Sequence, residues 1–176
     1  MTQPAPPLRR PPFLAAAGAL TLALATILGA WGFQLIGGYV PCKLCLEERI
    51  PYYFGIPLAL LALAASGTGR GRLARLILLA LAALFLYGAW LGLYHAGAEW
   101  AWWPGPTDCG GGIAPSGSVE DLAKQMQGIR VVSCTQASWR LFGLSFAGWN
   151  AFISALLALG ALWGALRHRP KAPGPA

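Results

Sequence analysis

Four stretches of this chain are almost purely apolar, and the polar residues fall in the segments between them. The first, Phe13 to Ile36, holds about 24 residues, or roughly 36 Å as a helix, which is enough to cross a bilayer. The second, Ile50 to Ser66, is shorter and carries Pro51 and Pro57, so its entry is bent or starts late. The third runs from Leu73 to Leu93 and the fourth from Phe146 to Leu166. This pattern predicts an all-α membrane protein, a bundle of four transmembrane helices that forms one membrane domain over residues 1–176. The remaining segments are a Pro-rich basic tail (1–12), a loop (37–49), a short basic connector (67–72), a large loop (94–145) and a second basic, Pro-rich tail (167–176). Within the large loop, Val119 to Gln127 reads as a short amphipathic helix with Ser118 as its N-cap and Asp121 three residues on. The aromatic and apolar piece from Trp139 to Phe146 is expected to lie on the membrane surface.

Basic residues before an apolar run also describe a signal peptide, and Arg9-Arg10 resembles a twin-arginine signal. The run is longer than an ordinary signal core, and three more spans follow it. The expectation is a retained span.

Composition agrees with the pattern. Of 176 residues, 56% are hydrophobic and 11% charged, against about 25% charged in a soluble domain. The mean hydropathy is +0.54. A pI near 9.7 does not point to nucleic acid, because the basic residues form no stripe and are not interleaved with exposed aromatics. They report orientation instead. Arg9, Arg10, Arg70, Arg72, Arg75, Arg167, Arg169 and Lys171 fall on one side with no acid among them. All six acids lie in the other two loops with the five remaining bases. Positive residues stay inside, so both termini are expected in the cytoplasm. Trp100, Trp102, Trp103, Trp149, Tyr39, Tyr52 and Tyr53 would then form an aromatic belt at the outer interface.

This orientation puts all four cysteines outside, where disulfides are permitted. Cys42 and Cys45 form a C-x-x-C pair at the mouth of the second span, while Cys109 and Cys134 lie in the large loop. Four cysteines allow three pairings, and the spacing favours Cys42 with Cys45 and Cys109 with Cys134. A C-x-x-C pair closes a small disulfide or offers a thiolate of lowered pKa, so it is a redox or metal element before it is a packing element. In a helix continuous from Cys45, Arg49 would share a face with it and favour a thiolate or a bound anion. Glu47 and Glu48 oppose this, and with Lys43 and Arg49 they leave the local formal charge at zero. Two pairs on one side of a membrane can pass electrons by thiol–disulfide exchange. With no nucleotide or haem motif in the chain, such exchange needs a lipid-soluble acceptor, and a quinone fits.

Plainer readings compete. Cys109 and Cys134 by themselves would staple a loop. Four thiolates could hold zinc, but the second pair lacks C-x-x-C spacing and an oxidising compartment closes thiols, so no metal is expected. Arg49 by itself would be an interfacial anchor. His95, at the outer end of the third span near the depth of Cys45, is an interfacial polar residue or a donor to a quinone carbonyl.

Taken together, Cys42-Lys43-Leu44-Cys45 followed by Arg49, Tyr94-His95, Trp103-Pro104-Gly105-Pro106 leading to Cys109, and the later Cys134 resemble the disulfide bond formation protein B family of bacterial inner membranes. The resemblance runs from the first span to the end of the fourth. It implies a protein-dithiol:quinone oxidoreductase of the inner membrane, with its cysteines in the periplasm. A reduced periplasmic thiol oxidase of the DsbA type would attack the Cys109–Cys134 disulfide at Cys109, and Cys134 would exchange with Cys42. Cys45 would then meet the quinone, ubiquinone or menaquinone, with Arg49 and His95 beside it. Relatives of this kind also include dedicated paralogues for other thiol partners. The vitamin K epoxide reductase family has a similar bundle, but its C-x-x-C comes late in the chain and its loop pair early, the reverse of the order here. A membrane scaffold with purely structural disulfides is the non-enzymatic alternative.

Overall fold

The computed structural model describes residues 11–106, 130–131 and 133–167. Cys109, the expected helix at 119–127 with its cap Ser118, and residues 1–10 and 168–176 of the two tails lie outside the described residues.

The described chain is mostly helical, with four helices long and apolar enough to cross a membrane. Helix α1 spans Pro11–Leu35. It starts on a proline, whose fixed φ suits the first helical position and whose missing N–H costs nothing there. Helix α2 is the single turn Lys43–Glu47, and α3 spans Ile50–Gly67. The two follow each other closely enough for Lys43–Gly67 to count as one span. Helix α4 spans Gly71–Glu99, and α5 spans Phe146–Leu166. The connector between α3 and α4 turns through Gly69 at φ 76°, a conformation that glycine adopts without strain.

Helices α1 and α5 bury mainly small residues and expose large ones. On α1 the buried positions include Ala16, Ala19, Ala23 and Ile27, spaced by three or four, while Leu14, Leu28 and Trp31 face outward. Helix α5 buries Ala147, Ala151, Ser154, Ala158, Ala161 and Ala165 and exposes Phe152, Leu159 and Trp163. In lipid there is no hydrophobic drive to bring helices together. Small residues let backbones approach closely enough for dispersion and hydrogen bonds to hold them.

The chain divides into two compact units. Among the described residues, one comprises 11–25, 51–87 and 154–167. In it the Tyr52 hydroxyl and Ser154 Oγ hydrogen-bond at 3.1 Å, and the Tyr52 ring packs edge-on against Phe85. Tyr52 is only 2% exposed. It therefore belongs to the interior and not to the outer aromatic belt, because Ser154 satisfies its hydroxyl there.

The other unit comprises Thr26–Ile50 and Gly88–Ile153 and carries the cysteines that the structure describes. Two short strand pairs order its non-helical part. Strand β1, Tyr39–Val40, lies parallel to β2, Arg130–Val131, with Tyr39 opposite Arg130 and Val40 opposite Val131. This pairing brings the late part of the large loop back beside the segment that leads into Cys42. Strands β3, Arg140–Leu141, and β4, Leu144–Ser145, form a hairpin. Phe142 and Gly143 both have positive φ, as a tight two-residue hairpin turn requires, and Phe142 is almost fully exposed. The rings of Phe33, Tyr39, Trp139 and Phe146 pack together beside these strands. Helices α4 and α5 come into close contact where Gly92 lies against the backbone of Ala151.

Candidate functional site

Cys42 has extended backbone geometry and caps α2, its sulfur accepting the Cys45 N–H at 3.3 Å. That cap draws the chain back on itself, so Cys42 Sγ and Cys45 Sγ lie 2.9 Å apart. Cys42 is fully buried and Cys45 half-buried. Cys134 is also fully buried, and with Cys42 and Leu44 it forms one cluster against which Tyr39, Cys45 and Tyr94 pack. Residues 92 positions apart in sequence thus meet at the sulfur of Cys42. The β1–β2 pairing is what delivers them.

His95 closes the other side. Helix α4 continues through Glu99, beyond the end of its apolar run, and carries His95 inward to 1% exposure. Its Nε2 lies 3.9 Å from Cys42 Sγ and its Nδ1 lies 2.7 Å from Glu48 Oε1. The carboxylate accepts from Nδ1–H, and this orients the ring with Nε2 toward the thiol. Glu99, one turn further along α4, places Oε1 3.9 Å from the same Nε2, and its side chain is 3% exposed. Trp103 covers this end of α4. Its indole donates to the Tyr94 carbonyl at 2.9 Å, and its ring lies over Gly97, where no side chain could fit.

The hydrogen bond to Cys45 and burial push the Cys42 thiol above its ordinary range, against a smaller opposing effect of His95. Each acts on charge: a thiolate at Cys42 would forfeit solvent and face a second sulfur at contact distance.

The structure brings Cys42, Cys45, Cys134 and His95 into one neighbourhood. Arg49 sits differently from the expectation of a continuous helix. The backbone breaks from α2 at Glu48 and Arg49 before α3 begins, and the Arg49 guanidinium donates from Nη1 to Gln34 Oε1 at 2.6 Å. Glu48 and not Arg49 therefore faces the buried centre. The sequence gives Glu48 only as a charge that opposes a lowered thiol pKa and Glu99 only as a loop acid. The available signal was their spacing, since Glu99 follows His95 by one helical turn and Glu48 follows Cys45 by three residues. Where zinc was weighed as four thiolates, the structure offers a different set: Cys42, Cys45 and His95 have ligand atoms all within 4.8 Å of one another.

A C-x-x-C pair at the mouth of a membrane helix, met by a third cysteine and a carboxylate-braced histidine, marks a multi-pass membrane protein that gathers three thiols at one point. The chain belongs to the family described as disulfide bond formation protein DsbB, whose model matches residues 10–164. Members of that family are in general thiol:quinone oxidoreductases. The chain is also similar to an uncharacterized protein of Rickettsia prowazekii (strain Madrid E), 25% identical over 142 residues that make up 80% of each chain. No solved structure matches it.

Proposed function

We propose that the chain is a protein-dithiol:quinone oxidoreductase that reoxidises a periplasmic DsbA-like thiol oxidase. In this reading the protein sits in the bacterial inner membrane with both termini in the cytoplasm and its cysteines in the periplasm. The donor dithiol reduces the Cys109–Cys134 disulfide and leaves as a disulfide. The resulting thiols reduce Cys42–Cys45 in a second exchange, Cys134 attacking Cys42. The Cys42–Cys45 dithiol then gives up two electrons and two protons as its disulfide re-forms. A quinone, when bound, accepts both and leaves as quinol.

The observation that carries this reading is the shared burial of Cys134 and Cys42 in one cluster, with Cys45 at contact distance from Cys42. Exchange runs through a mixed disulfide and needs sulfurs that can meet. In this reading His95, held by Glu48 and 3.9 Å from Cys42 Sγ, is the proton-transfer partner of Cys42.

The residues near Cys45 suit a quinone. Cys45 and Arg49 are half-buried, and Leu46 and Ile50 beside them in sequence are exposed apolar side chains. A guanidinium can donate to a carbonyl oxygen, and exposed apolar surface suits a ring and a polyprenyl tail. Both ring nitrogens of His95 already have protein neighbours, which favours Arg49 over His95 as the carbonyl donor.

Quinone reduction by the purified protein in detergent, with a reduced periplasmic thiol oxidase as donor, tests the proposal. Wild type is expected to turn over and Cys45→Ser is expected to be inactive. Equal rates in the two, or none in either, would return the cysteines to a structural role.

A further inference from the structure

The reduced centre has a second chemical capability, independent of whether it passes electrons to a quinone. Two thiols and an imidazole converge: Cys42 Sγ, Cys45 Sγ and His95 Nε2 lie within 4.8 Å of one another, with Cys42 and His95 fully buried and Cys45 half-buried. We propose that the reduced Cys42–Cys45 dithiol and His95 form a three-ligand site for Zn2+ whose occupancy locks the pair in its reduced state.

Two further observations point to a cation. The first is Glu48, whose Oε1 accepts from His95 Nδ1 at 2.7 Å. A histidine whose outer nitrogen is braced by a carboxylate, while its inner nitrogen faces soft donors, is built as metal-binding histidines are built. The second is Glu99. Its side chain is 3% exposed, its Oε1 lies 3.9 Å from Nε2, and its Oε2 has no hydrogen-bond partner among the described residues. A buried carboxylate oxygen without a donor beside the same imidazole nitrogen favours positive charge at that point.

The donor set selects the ion. Thiolate and imidazole suit zinc, and three protein ligands leave its fourth position open to water. Tetrahedral bond lengths put two zinc-bound sulfurs about 3.7 Å apart and a sulfur and a nitrogen about 3.5 Å apart. The sulfurs, now 2.9 Å apart, must separate by somewhat under 1 Å, Nε2 must close on Cys42 Sγ by a few tenths of an ångström from 3.9 Å, and the Cys45–His95 pair, within 4.8 Å, closes by at most about 1.3 Å. Cys45, half-buried on a one-turn helix, is the side chain free to make that move. Binding replaces two thiol protons with one Zn2+ and releases both protons, so the occupied site is formally neutral and no electrons are exchanged. Once closed, the Cys42–Cys45 disulfide has no thiolate to offer, so oxidation and zinc binding exclude each other.

The test titrates Zn2+ alone into detergent-solubilised, fully reduced protein carrying Cys109→Ser and Cys134→Ser, in competition with a chromophoric chelator. One equivalent per chain is expected. The same protein with Cys42–Cys45 oxidised should bind at least a hundredfold more weakly. Glu48→Gln should weaken binding about tenfold and His95→Asn by more. Co2+ in place of Zn2+ gives a folding-independent check: sulfur-to-cobalt charge-transfer absorption should appear in the reduced protein and fall by about half in Cys45→Ser. Equal affinity of reduced and oxidised protein would overturn the proposal, as would His95→Asn binding as tightly as its parent. The outcomes are separable from the redox reading. A chain that binds Zn2+ but reduces no quinone loses only its proposed activity, and an active chain with no zinc site loses only this inference.

Discussion

Glu48 Oε1 lies 2.7 Å from His95 Nδ1, a contact between side chains 47 positions apart that turns the other ring nitrogen toward Cys42. Both side chains are almost fully buried. Each satisfies a polar group the other would leave stranded, and together they set which ring nitrogen meets the thiol.

Removing that acceptor has a defined consequence. Glu48→Ala leaves a buried imidazole N–H without a partner, and about 1–3 kcal/mol of stability should be lost. Glu48→Gln keeps an acceptor oxygen and should lose less. Thermal unfolding of the purified protein in detergent measures both. A Glu48→Ala protein as stable as wild type would mean that His95 has another acceptor.

The raised pKa of Cys42 gives a pH signature. Alkylation of Cys42 in the reduced protein should climb steadily with pH and show no plateau near its ordinary value of 9.0, because only the thiolate reacts. The linkage follows in sign. The folded state holds the Cys42 proton more tightly than the unfolded chain, so the associated stability is fully present below the ordinary thiol pKa and declines as pH rises above it. Reduced protein should therefore unfold more easily in the alkaline range, whereas protein with the Cys42–Cys45 disulfide should lack this contribution. Mass-resolved alkylation across pH checks the first statement and melting curves of the two redox forms check the second.

Tyr52→Phe should separate fold from chemistry. It removes the hydroxyl that meets Ser154 at 3.1 Å while keeping the ring against Phe85. Hydrogen bonds between membrane helices average about 0.6 kcal/mol with a maximum near 1.7, so a small loss of stability is expected. Thiol reactivity at Cys42 should not change. A melting curve together with the alkylation rate checks both halves.

Gly92→Ala tests the close approach of α4 and α5. An added Cβ would sit 2.7 Å from the Ala151 nitrogen and 3.0 Å from the Ala147 carbonyl oxygen, so the helices must part, at about 1–3 kcal/mol. Gly18→Ala is the control, since a Cβ there meets nothing within 4 Å and should be neutral or stabilising. Equal melting temperatures in the two variants would deny the tight crossing.

Much of the helical plan could be read from composition, because runs of about twenty apolar residues have few uses other than crossing a bilayer. The C-x-x-C pair was also visible, since its spacing is local. Hydrophobicity could not distinguish the faces of each helix. Ala16 and Leu14 are both apolar, yet one packs and the other faces outward, while on α4 it is the large Leu78, Leu81 and Phe85 that pack. Tyr52 reads as an interfacial ring until Ser154, more than a hundred residues away, offers its hydroxyl. The extent of α4 was hidden because hydropathy falls at Tyr94-His95 while backbone hydrogen bonding continues through Glu99.

By itself, then, the sequence determined the number of apolar spans and the C-x-x-C spacing, which depend on residues close together in the chain, and it carried the resemblance to a thiol redox family. The tertiary structure alone decided that Glu48 faces His95 while Arg49 turns to Gln34, that Cys134 joins Cys42, and that Glu99 reaches the same imidazole as the sulfurs. Those pairings cross from one element to another, and an acid's sequence position does not reveal which side of a helical turn will face a buried partner.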